Sequence, residues 1–287
     1  MKNWLIGIGI IVLAGAGIWY YQARMTEPEP VVSPAEMAPR QESATPMRQT
    51  PAEAPAQQSQ APTSAMTEPA QEAAPLPDLA QSDPLAVDEL TGLLGQDEVS
   101  EYWNQEGVVS RIVATVDALD SGQIPGVIAA VHGPGGTFEV TPVENPETVI
   151  HNEQGDDVPQ FILDPDNYAR YEPYVAMLDS MTPDQAAALF REYQPLFQQA
   201  YRQLGYSEGR FEDRLVEVID ELLATPTVED PVRLIKPEAY YLFADPDLES
   251  LSAGQKILVR MGSENAARVK SKLAAIRDAL RGVQAPE

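Results

Sequence analysis

The sequence predicts an α+β fold: a single, predominantly α-helical globular domain, preceded by one N-terminal transmembrane helix and a disordered Pro/Ala-rich tether. Three observations carry this. The chain opens with a run of eighteen uncharged residues, Trp4 to Tyr21. Eleven of its 26 prolines then fall within residues 25–83, a stretch without an aromatic residue. Beyond it, apolar residues recur at helical spacing in several segments, interrupted by short runs with strand character. The expected layout is an anchor at 1–24, a linker at 25–83, a domain at 84–281 and a tail at 282–287.

The opening reads "MKNWLIGIGIIVLAGAGIWYYQAR". Residues 4–21, as a helix, would span roughly 27 Å, against a hydrocarbon core of about 30 Å. Trp4 at one end and Trp19, Tyr20 and Tyr21 at the other suit the two interfaces of a membrane. Ala14-Gly15-Ala16 resembles a signal-peptide cleavage site, but cleavage there would leave a chain starting on an aromatic cluster. An uncleaved, single-pass signal-anchor is therefore expected, without a GxxxG pairing motif. Lys2 and the terminal amine precede the span, while Arg24 after it is followed by Glu27 and Glu29. This bias predicts a cytoplasmic N-terminus and a periplasmic domain on a bacterial inner membrane.

Residues 25–83 are rich in proline, alanine, glutamine and glutamate and cannot bury enough apolar surface to offset the entropy of ordering. As a flexible coil the segment reaches roughly 40 Å, and in polyproline geometry about 180 Å. The chain of 287 residues has a formal charge of −25, unevenly spread. Residues 85–254 hold thirty-two acids and eight bases, whereas residues 255–287 hold three acids and seven bases. An acidic body is a poor match for nucleic acid, whose phosphates require lysine and arginine. The basic end suits docking on the body itself, or on an anionic partner. There is no cysteine, and His132 and His151 lie on no metal-ligand spacing. No cofactor or metal is expected.

Within the domain, helix starts are marked by Asp83-Pro84, Asp164-Pro165, Thr182-Pro183-Asp184 and Asp245-Pro246-Asp247. In each, a side-chain oxygen caps backbone N–H groups and proline occupies a turn where its missing donor costs nothing. "DPDN" at 164–167 is thus a cap; a calcium loop would need a further oxygen ligand where Tyr168 stands. Residues 183–204 place Ala186, Phe190, Tyr193, Phe197, Ala200, Tyr201 and Leu204 at helical spacing before Gly205, with Pro195 expected to kink or divide the helix. "FEDRLVEVIDELLATP" sets Leu215, Val218, Ile219 and Leu222 on one face and Asp213, Glu217 and Glu221 opposite, with Arg214 as a local partner. "GTFEVTPV", "PQFILD", "VRLIKP" and "YYLF" read as two pairs of short strands.

The stretch "SLSAGQKILVRMG" at 250–262 brings a glycine and a lysine close together. A phosphate-binding loop needs GxxxxGK and then serine or threonine, between strand and helix. Gln255 separates Gly254 from Lys256, and Ile257 replaces the hydroxyl. The segment is instead the joint of a helical hairpin, with Gly262 ending one helix and Ser263 capping the next. That last helix should bury Val269, Leu273, Ile276 and Leu280.

Four strings together resemble a bacterial family described as domain of unknown function 3014. They are "ATVDAL" (114–119), "YARYEPYV" (168–175), "AYRQLGYSEGRFEDRLVEVIDELLATP" (200–226) and "PVRLIKPEAYYLFADPDLESLSAGQKILVRMG" (231–262). The resemblance implies single-pass envelope proteins with this anchor, tether and domain layout, and it implies no reaction and no site residue.

The expected function is a non-catalytic interaction or scaffolding module held at the inner membrane through residues 4–21, with an unidentified envelope protein or cell-wall component as partner. No GxSxG, SxxK or HExxH occurs in the chain. Tyr168, Arg170, Tyr171 and Tyr174, together with Arg210 and Arg214, form the candidate contact surface, because tyrosine and arginine predominate at binding hot spots. The competing reading has these arginines tying loops to helices. The alternative function is an envelope enzyme acting on wall glycan through paired carboxylates, from Asp245, Asp247 and Glu249, or Glu217 with Asp220. A third reading, a helix-hairpin-helix nucleic-acid module at Gly262–Val269, meets an acidic body and an arginine, Arg260, in place of the motif's first glycine.

Overall fold

The computed structural model describes residues 76–152 and 154–282. The expected anchor, nearly all of the tether and most of the tail lie outside the described residues. Among those described, no helix is long and apolar enough to cross a membrane. The described region is helix-dominated, with one small antiparallel sheet, as an α+β reading requires.

Three helices come first: α1 (Asp83–Leu94), α2 (Gln96–Tyr102) and α3 (Val108–Leu119). Strands β1 (Val140–Pro142) and β2 (Gln160–Leu163) follow, then a 3₁₀ segment, Pro165–Tyr171. It runs into α4 (Glu172–Asp179), α5 (Pro183–Gln203) and α6 (Phe211–Leu223). Strands β3 (Arg233–Ile235) and β4 (Leu242–Phe243) precede a short α7 (Pro246–Glu249), and the chain closes with α8 (Ala253–Arg260) and α9 (Ser263–Leu280).

The core is built around α3, whose Val108, Val109, Ile112, Val113, Val116 and Leu119 are all buried. Helices α5, α6 and α8 pack on it, and α9 closes the bundle against α4, α5 and α6. Phe190, Phe197 and Phe211 meet there with ring centroids 5.9–6.4 Å apart. Each such ring removed from water contributes about 1.5–3 kcal/mol. Leu215, Val218, Ile219 and Leu222, and on α9 Val269, Leu273, Ile276 and Leu280, are buried as their spacing predicts.

The four short strands form one sheet in the order β1-β2-β3-β4, rather than two separate pairs. Phe161 pairs with Pro142 on one side and Leu234 on the other, and Leu234 with Phe243, so these residues share a face. On that face Leu163, Leu234 and Phe243 are buried, and α8 contributes Val259 to the same cluster. The opposite face carries Thr141, Gln160, Ile162, Arg233, Ile235 and Leu242.

Several expectations are corrected. The packed region begins ahead of residue 84, since Leu79 is buried in the main core. Asp83 does not cap its own helix: α1 follows Ser82 without a side-chain cap, and the Asp83 carboxylate turns to the start of α3. Pro195 does not divide α5, which runs unbroken with Phe190, Tyr193, Leu196 and Phe197 buried on either side of it. Burial of that stripe outweighs the one backbone hydrogen bond proline removes. Leu204 is 44% exposed rather than core, because Gly205, at φ 110°, turns the chain outward just behind it. Ser263 is not a cap either; Gly262 holds that position and no side chain caps α9.

Candidate functional site

The tyrosine–arginine surface is set by the 3₁₀ segment. Asp164 Oδ1 accepts from the Asp166 N–H at 3.0 Å, confirming the cap. From the end of that turn Arg170 donates to the Gly135 carbonyl at 2.9 Å, the Pro134 carbonyl at 3.0 Å and Asn167 Oδ1 at 3.0 Å. Its guanidinium thus holds the glycine-rich loop to the helix. The three-residue spacing of Tyr168, Tyr171 and Tyr174 does put them on one side, but that side faces inward. Tyr171 and Tyr174 are buried, and the Tyr174 hydroxyl donates to the His132 carbonyl at 2.9 Å. The expectation that these two rings meet a partner is therefore corrected: both are core. Tyr168 lays its ring over Gly262 and donates its hydroxyl to Asp230. Burial, first of all, pushes the Tyr168 and Tyr174 hydroxyls above the usual phenol range, so both are neutral donors.

Arg210 and Arg214 lie elsewhere, at the start of α6. Arg214 is only 18% exposed and donates to Asp117 Oδ1 at 2.8 Å, Asp120 Oδ2 at 3.0 Å and Glu217 Oε2 at 3.0 Å. Burial works against its charge, yet these carboxylates hold it more firmly protonated than a free arginine. Asp117 and Asp120, both at the end of α3, are the partners that sequence reasoning missed. Asp117 also takes the Tyr206 hydroxyl at 3.0 Å, and Tyr206 stacks on Tyr201 with centroids 4.4 Å apart. The α5–α6 turn is thereby clamped to α3. On its outer side Arg210, paired with Glu212, is 61% exposed; Leu204 and Tyr206 are 44% and 41% exposed.

Of the carboxylates proposed for hydrolysis, Asp247 makes no side-chain hydrogen bond or ion pair among the described residues, and the others have structural partners. Asp245 Oδ1 accepts from Asp247 N–H at 2.9 Å, capping α7. Glu249 accepts from the Phe243 N–H at 2.8 Å, so it occupies the outer edge of β4, and takes Lys256 Nζ at 2.6 Å. Asp220, the other suggested partner, lies between Arg277 and Arg281 at 2.8 Å each. Among the described residues no group of three or more His, Asp or Glu is arranged to hold a metal ion.

The family model described as "Protein of unknown function (DUF3014)" matches residues 108–277, from the start of α3 almost to the end of α9. The chain belongs to this family. No curated protein and no solved structure matches it.

In this DUF3014 domain the glycine–lysine stretch is a joint. Ser252 and Gln255 form a reciprocal capping box at α8. A Cβ on Gly254 would come within 2.5 Å of Leu222 Cδ2 and 3.2 Å of the Leu119 carbonyl, so only glycine lets α8 approach α3 and α6 this closely. Lys256 bonds Glu249. The basic residues of α9 are likewise engaged within the DUF3014 domain. Arg268 reaches Glu172 and Asp179, Lys270 the Thr225 carbonyl, and Lys272 the Met181 carbonyl. The basic end of the chain docks on its acidic body.

Proposed function

We propose that this chain is a non-catalytic interaction module, tethered to a bacterial inner membrane through residues 4–21 with its DUF3014 domain in the periplasm. The observation that carries the reading is the α5–α6 turn. Leu204, Tyr206 and Arg210 stand exposed together there, on a turn that Asp117 and Arg214 fix rigidly to the core. An apolar, an aromatic and a cationic side chain presented on a preorganised turn suit protein recognition, where such groups supply most of the binding energy. Of the carboxylates of the alternative enzyme reading, Asp245 is bonded as a cap, Glu249 as an edge partner, and Glu217 and Asp220 in ion pairs, which favours the module over the glycan hydrolase. Of the six residues first nominated for contact, Arg210 keeps that role, and Arg170 and Arg214 act as ties that hold loops in place.

Two measurements on the full chain test this reading. A reporter enzyme that folds only outside the cytoplasm, fused after Glu287, is expected to be active. Incubation of the purified chain with wall glycan is expected to release no soluble fragments. Activity only from a cytoplasm-specific reporter, or steady release of glycan fragments, overturns it.

A further inference from the structure

In a domain this acidic, nearly every cation is already bonded. Arg233 is the exception: among the described residues it is the one basic side chain with no hydrogen bond, ion pair or aromatic ring to meet its charge. It projects from β3 on the sheet face opposite the core, beside a cavity of about 500 Å³. That volume falls in the roughly 300–1,000 Å³ range of small-molecule sites.

The cavity has a built interior. Gln160 on β2 lies on the same face as Arg233 and is only 7% exposed. Its Nε2 donates to the Thr148 carbonyl at 2.7 Å, which pins the loop ahead of β2 as one wall. Its Oε1 makes no hydrogen bond among the described residues and keeps some exposure, leaving an open acceptor on the lining. Ile150 and Leu248 supply apolar surface, and Glu147 and Asp245 add two carboxylates. Asp245 uses only Oδ1 on its cap.

A free guanidinium, two carboxylates and an open amide oxygen around apolar walls are complementary to a ligand that carries both charges. We propose that this cavity binds a short peptide with free amino and carboxyl ends. Arg233 takes the carboxylate, since guanidinium and carboxylate match in a planar, two-bond geometry. Glu147 and Asp245 take the ammonium, Gln160 Oε1 accepts from a peptide N–H, and Ile150 and Leu248 face the side chain. The site lies on the sheet and is separate from the α5–α6 turn, so it stands or falls independently of the interaction module.

The test is calorimetric titration of the full chain in detergent with the dipeptide Ala-Leu as probe. Saturable binding at one site per chain is expected. Arg233→Gln should weaken it at least tenfold with an unchanged melting temperature, because Arg233 supports no other contact. The carboxamide and N-acetyl forms of the dipeptide should each lose at least tenfold as well. No saturable heat up to millimolar dipeptide overturns the proposal. So does equal binding by Arg233→Gln, or by either blocked peptide.

Discussion

Asp83 and Val108 are joined across twenty-five positions of sequence: Asp83 Oδ1 accepts from the Val108 N–H at 2.8 Å, and Oδ2 from Gly107 N–H at 2.7 Å. One carboxylate at the start of α1 therefore closes the N-terminus of α3, the helix at the centre of the core. A negative charge there also complements the helix dipole. Asp83→Ala is expected to lower unfolding free energy by about 1–2 kcal/mol, the usual cost of losing an N-terminal cap. Denaturant titration checks this; a change within a few tenths of a kcal/mol would show that the bond contributes nothing.

Two glycines should respond in opposite directions to alanine. Gly254→Ala places a methyl group against Leu222 and the Leu119 backbone and is expected to cost about 1–3 kcal/mol. Gly92, in α1, has nothing within 4 Å of its added Cβ. Gly92→Ala should stabilise by roughly 0.5–1 kcal/mol through the unfolded chain. Melting temperatures of the two variants are the readout.

How much of this was legible in the sequence depends on the range of the interaction. The four strands, the buried faces of α6 and α9, and the caps at Asp164, Thr182 and Asp245 were all readable, because period and capping are local. By the same rule Asp83 reads as a local cap. Its true partner lies beyond a second helix, so only packing brings the two together. The stripe of Tyr168, Tyr171 and Tyr174 was visible as spacing, but spacing does not say which side faces the core. Arg233 gives no signal, since its distinction is that the other basic side chains among the described residues find partners.

Asp220 makes the acid limb of stability sensitive to one residue. Its bond from Arg277, opposed by burial and reinforced by Arg281, holds its carboxyl below the usual carboxylate range. A folded-state pKa below the unfolded value of about 3.9 gives stabilisation that is full above that value. It is lost as pH falls through the folded-state pKa. Asp220→Asn should therefore be less stable than wild type at pH 7, with the difference shrinking below about pH 4. A difference independent of pH would contradict the linkage.

Arg170 and Arg210 should separate tie from contact. Arg170→Ala removes two hydrogen bonds that hold the 133–136 loop and a third to Asn167, and is expected to destabilise by roughly 2 kcal/mol. Arg210→Ala, on a side chain paired only with neighbouring Glu212, should leave the melting temperature unchanged. Equal destabilisation by both would remove the distinction between the two arginines.

The most direct measurement is capture of bound protein from crosslinked membranes by the full chain, compared among wild type, Leu204→Asp and Arg210→Ala. The account predicts that one protein recovered reproducibly with wild type is lost from both variants while their melting temperatures stay unchanged. Recovery of the same protein in equal amounts from all three, or of none from wild type, would contradict it.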